Sequence, residues 1–90
     1  MAESTIKKHG YSIIPISLTP ASIGAGTTQT FYNNSYKNSA VVGYALYGVA
    51  SYNLAVTQLY CDSSGLIMVI KNNGSASVTP SSIIVMLLQE

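Results

Sequence analysis

The sequence predicts an all-β fold: a small antiparallel β-sandwich of six to seven strands, jelly-roll or immunoglobulin-like. Three observations carry that expectation. The apolar residues are mostly β-branched, aliphatic or aromatic and fall in short runs, the pattern of strands. Turn-forming Gly, Pro, Asn, Asp and Ser punctuate those runs at roughly ten-residue spacing, the rhythm of a small sandwich or barrel. Helix-supporting charge is scarce, with four Lys and three acidic residues in 90 positions and no Arg.

Taken in order, residues 1–9 read as a flexible polar arm, and residues 10–90 as a single domain. A first strand is expected at about Tyr11–Leu18. Pro15 places it at a sheet edge or in a bulge, because proline gives the ladder no N–H. Tyr11 and Ile13 share one face while Ile14, Ile16 and Leu18 alternate on the other, which a bulge near Ile14–Pro15 would reconcile. Pro20, Gly24 and Gly26 turn the chain into a second strand at Thr27–Tyr32. The stretch 33–39, NNSYKNS, is a polar loop, since Asn and Ser side chains compete for the backbone.

Val41–Val49 is the third strand, with Gly43 and Gly48 marking bulges or close packing. A fourth follows at Leu54–Cys61. The turn DSSG at 62–65, in which Asp62 caps the backbone, leads to a fifth at Leu66–Lys71. Asn73-Gly74 is a strong hairpin signal. A short strand at Ala76–Thr79, then Pro80, precedes a last strand at Ile83–Gln89.

Composition excludes several functions. The formal net charge is +1, and the Lys residues are scattered apart from Lys7–Lys8, so phosphate neutralisation lacks its cations and nucleic acid is not expected as a partner. No run approaches the ~18 apolar residues of a membrane helix, so no membrane insertion is expected. The N-terminus lacks the pattern of a secretory signal, and the chain reads as made in the cytoplasm. Cys61 has no partner for an internal disulfide and reads as a half-buried small hydrophobe.

Catalysis needs groups that move protons or hold a metal. The inventory is His9, Glu3, Asp62, Glu90 and Cys61, with no paired carboxylates and too few zinc ligands. Gly24–Gly26 lacks the third glycine and the helix of a phosphate-binding loop. No catalytic residue, metal ligand or cofactor is therefore expected, and the chain reads as no enzyme. The sequons at Asn33 and Asn73 read as turns.

Two features point elsewhere. Counting by twos, Leu66, Met68 and Ile70 oppose Ile67 and Val69, and Ile83, Val85 and Leu87 oppose Ile84, Met86 and Leu88. In the third strand Val42, Tyr44 and Leu46 oppose Val41, Ala45, Tyr47 and Val49, so at least one of Tyr44 and Tyr47 is expected to pack. Each of these strands is apolar on both faces, and a sandwich covers one face only. The second face implies a homo-oligomer, with Val42, Tyr44, Leu46, Leu66, Met68, Ile70, Ile84, Met86 and Leu88 in either the core or the interface. The chain also holds seven tyrosines. Tyr32, Asn33, Asn34, Tyr36, Tyr52 and Asn53 gather near loops and are candidate receptor-binding residues, because Tyr and Asn make adaptable contact surfaces.

From Ser17 to Gln89 the order of elements resembles the small β-sandwich modules of bacteriophage fibre, tail and head-fibre proteins. The residues that carry the resemblance are Ser22-Ile23-Gly24-Ala25-Gly26-Thr27-Thr28, then Val42-Gly43-Tyr44-Ala45-Leu46. Ser64-Gly65, Ile67, Val69, Asn72, Gly74, Ser77 and Val78-Thr79-Pro80 complete it. The resemblance implies a homotrimer in a virion, at a fibre tip, on a tail or as capsid decoration. Its partners would be other virion proteins and a host surface glycan or receptor. A lectin-like carbohydrate-binding module is the alternative reading.

Overall fold

Six strands form where apolar alternation runs between turn residues: β1 (Ser12–Leu18), β2 (Thr28–Asn33), β3 (Ala40–Tyr47), β4 (Leu54–Asp62), β5 (Gly65–Asn72) and β6 (Ser82–Gln89). They are seen in a computed structural model that describes residues 12–49 and 53–89. The expected arm at 1–9, with His9, and the candidate Tyr52 lie outside the described residues. No α-helix occurs among the described residues, and the fold is all-β.

The strands make two antiparallel three-stranded sheets, in the orders β1-β6-β3 and β2-β5-β4. The last two strands of the sequence pattern thus become the two sheet centres. A central strand is flanked on both sides, which is why the longest apolar runs sit there. The β4–β5 hairpin is closed by Ser63-Ser64, with Asp62 opposite Gly65. Asp62 Oδ1 accepts from the Ser64 N–H at 2.8 Å and the Gly65 N–H at 3.3 Å, the expected cap. Every other connection passes from one sheet to the other.

Both sheets turn one face to a single apolar cluster. Ile16 and Leu18 of β1, Phe31 of β2, Leu66, Met68 and Ile70 of β5, and Ile83, Val85 and Leu87 of β6 are buried in it, with Ile23 from the β1–β2 connection. Burying each such side chain is worth roughly 1.5–3 kcal/mol. Leu66, Met68 and Ile70 are therefore core, whereas Ile84, Met86 and Leu88 alternate onto the opposite, outer side of β6.

Four local expectations are corrected. Pro15 does lie on an edge strand, but β1 pairs with β6 in unbroken register from Ser12–Gln89 to Leu18–Ile83, so it carries no bulge. Asn73-Gly74 does not close a hairpin, because β5 and β6 belong to different sheets. Asn72 is instead buried at the end of β5. Its Nδ2 donates to the Ile23 carbonyl at 2.9 Å and to the Ala76 carbonyl at 2.8 Å, and its Oδ1 accepts from the Gly74 N–H at 2.8 Å. Those bonds fold the polar stretch inward as a crossover. The short strand expected at Ala76–Thr79 reduces to one bridge between Val78 and Ile23.

The fourth correction concerns β3. The register jumps between Val41, opposite Leu87, and Gly43, opposite Met86. The extra residue, Val42, shifts the alternation, so that Val41, Tyr44 and Leu46 fall opposite core residues of β6 while Gly43 and Ala45 fall opposite its outer ones. Tyr44 stands at the sheet margin and Tyr47 on the outer side, and both are exposed, so neither packs as expected. A second bulge lies in β4 between Val56 and Gln58.

Candidate assembly surface

The register builds the outer face of the β1-β6-β3 sheet row by row. Ile13, Leu88 and Ala40 form one row; Pro15, Met86 and Gly43 the next; Ser17, Ile84 and Ala45 a third; and Tyr47 stands beside Ser82. No acid, amine or imidazole occurs among these residues. Ile84, Met86 and Leu88 are half-buried by their neighbours in the central strand. At the margins Ile13, Val42 and Tyr47 keep 52%, 50% and 54% of their surface, too much for residues serving the core.

Gly43 lets this face lie flat. A Cβ built on it would stand 3.3 Å from Met86 Cε, so the Met86 side chain lies over the bare backbone of β3. Methionine fits such a gap because its unbranched chain adapts.

The outer face of β2-β5-β4 differs in chemistry. Tyr32, Ile67 and Tyr60 form one row, Thr30, Val69 and Gln58 the next, and Thr28, Lys71 and Ala55 the third. Tyr32 and Tyr60 are exposed, and the Tyr32 hydroxyl donates to the Ser64 carbonyl, which fixes its ring beside the β4–β5 turn. Hydroxyls, an amide and a lysine make this face one that water can cover.

The remaining loop candidates take local roles. Asn33 Oδ1 accepts from the Ser35 N–H at 2.8 Å, and Tyr36 packs against the core cluster. The Tyr36 carbonyl accepts from Cys61 Sγ at 3.2 Å, and Cys61 is half-buried as its sequence context implied. Asn34 is exposed, and Asn53 lies near Gly74. None of these loop candidates lines the groove between β3 and β4.

Beside the exposed Tyr44, the edges of β3 and β4 border a groove of about 400 Å³ lined by Tyr44, Ala45, Leu46, Leu54 and Val56. It holds no ionisable group other than the Tyr44 phenol. Among the described residues no three His, Cys, Asp or Glu gather as a metal site would need. What the surface can do is exclude water from apolar contacts.

Sequence reasoning singled out Ile84, Met86 and Leu88 but left their side of the strand open. It missed Ile13, Pro15, Tyr47, Ile67 and Tyr60 as surface residues. For Ile13 the signal was its phase against Ile14 and Ile16. For Tyr47 the alternation with Leu46 was in the sequence but not which side is outer, and Tyr60 and Ile67 pair across the β4–β5 hairpin that the DSSG turn closes. No family model matches the chain, and no curated protein and no solved structure matches it.

Proposed function

We propose that this chain is a non-enzymatic structural protein of a phage or prophage particle. In this reading its two sheets form a β-sandwich, three copies assemble as a homotrimer, and the trimer serves a fibre tip, a tail or a capsid decoration in host attachment. The observation that supports it is the outer face of β1-β6-β3, uncharged among the described residues, where Ile84, Met86 and Leu88 sit between Ile13 and Tyr47. Apolar surface of that kind favours burial against a partner. A ring of three uses two different surfaces on each copy, and the outer face and the groove between β3 and β4 are two such surfaces.

The reading is tested by labelling purified particles with antibody raised against the chain. Signal at a fixed position on intact particles is expected, and particles that lack the chain altogether would refute it.

The exposed Tyr32 and Tyr60, flanking Ile67 on the sheet face away from the assembly surface, favour a second reading as a carbohydrate-binding module. Tyrosine combines apolar area with a hydroxyl at low entropic cost. A glycan array read with wild type and Tyr60→Ala separates the readings: a sugar signal lost in the variant supports this one, and an array without signal refutes it.

A further inference from the structure

We propose that the outer face of the β1-β6-β3 sheet is the surface on which one copy of this chain meets another, with the Tyr32–Tyr60 face turned outward. The inference rests on the self-assembly in the proposed function and assigns its surface. The two outer faces compete for that role, and chemistry separates them. In a symmetric assembly, groups near the axis meet their own copies, so a charge there faces a like charge. Among the described residues the β1-β6-β3 face carries no Lys, Asp, Glu or His, whereas the β2-β5-β4 face carries Lys71 in its third row. Set toward a three-fold axis, the first face brings its copies together without that repulsion. It is also the one whose central strand offers Ile, Met and Leu at successive outward positions, where β5 offers Ile67, Val69 and Lys71.

Area sets how tightly the copies hold. Three strands at about 4.8 Å spacing and about 3.4 Å per residue make a face of roughly 14 by 27 Å. Covering one such face with an equal area of a neighbouring copy buries on the order of 800 Å² in all, below the roughly 1,200 Å² of stable specific interfaces and in the range of weak ones. Val42, Tyr44 and Tyr47 continue the apolar surface around the β3 margin toward the groove. The assembly is therefore concentration-dependent, dissociating on dilution rather than only on unfolding.

Its test is the mass of the full chain in solution, by sedimentation equilibrium, for wild type and single variants. Ile84→Lys and Met86→Lys are each expected to weaken association by roughly tenfold or more while keeping the β-sheet circular dichroism of wild type. Ile13→Lys, at a half-exposed edge position, provides the same test should a central-strand variant fail to fold. Val69→Lys, on the opposite outer face, is expected to leave the assembly unchanged. Folded Ile84→Lys, Met86→Lys and Ile13→Lys chains that associate as wild type does, or dissociation caused by Val69→Lys, would overturn this assignment while leaving self-assembly intact. A wild-type chain that stays monomeric overturns both, and points the face toward a different protein.

Discussion

Met86 reaches across Gly43, with its Cε 3.3 Å from the point where a Cβ on that glycine would begin. The atom in the way is the free end of a flexible side chain, so Gly43→Ala should be absorbed by a rotation of Met86. Urea unfolding is expected to show a change within about 1 kcal/mol. A loss of several kcal/mol would mean that the contact is rigid.

Gly65 is the contrasting case. Its φ is +138°, and a Cβ there would meet the Asn33 carbonyl oxygen at 2.6 Å and Asn34 Cα at 2.8 Å, both backbone atoms. Gly65→Ala should cost more than about 2 kcal/mol, because neither the turn nor the β2 end can yield cheaply. Gly26→Ala, where φ is +71° and nothing stands within 4 Å, should cost only the left-handed backbone penalty of about 1 kcal/mol. Equal losses in the two variants would contradict this distinction.

Asn72 ties the end of β5 to two separate stretches of chain through its amide. Asn72→Ala takes a partner from the Ala76 carbonyl and the Gly74 N–H and leaves the Ile23 carbonyl only its bond from the Val78 N–H, and is expected to destabilise the fold by about 1–3 kcal/mol. Asn73→Ala, one residue on and exposed, should stay within about 0.5 kcal/mol. Thermal melts of the pair decide it: similar midpoints would show that the buried amide is not the tie.

Met68 and Met86 occupy opposite situations, one buried in the core and the other on an outer face. Met68→Lys buries an unpaired ammonium at a cost of several kcal/mol, a large share of a small domain's stability. It should abolish cooperative unfolding, whereas Met86→Lys should melt cooperatively. Reversal of that pattern would exchange the assignment of core and surface.

The strands were legible because apolar alternation and turn residues are local signals. Each expected strand is present within about two residues at either end, except Ala76–Thr79, which keeps only the Val78–Ile23 bridge. Beyond the β4–β5 hairpin, pairing was not legible, since nothing near Ile83 says that its neighbours are Leu18 and Leu46. Asn73-Gly74 misled for the same reason: the dipeptide favours a tight turn, but the preceding Asn72 is drawn inward by the distant Ile23 carbonyl. The bulge at Val42 put Val41 on the face of Tyr44 and Leu46, where unbroken alternation sets it with Ala45 and Tyr47. The candidate surface was half legible. Ile84, Met86 and Leu88 stood out as a second apolar stripe, yet only the partner strands show that it faces away from the core.

In the proposed assembly the outer face of β1-β6-β3, uncharged among the described residues, is covered by further copies of the chain. Sedimentation equilibrium of the wild-type protein across the micromolar range tests it most directly. The expected result is a mass about three times that of the 9.5 kDa chain, falling on dilution. A single species of 9.5 kDa at every concentration would contradict it.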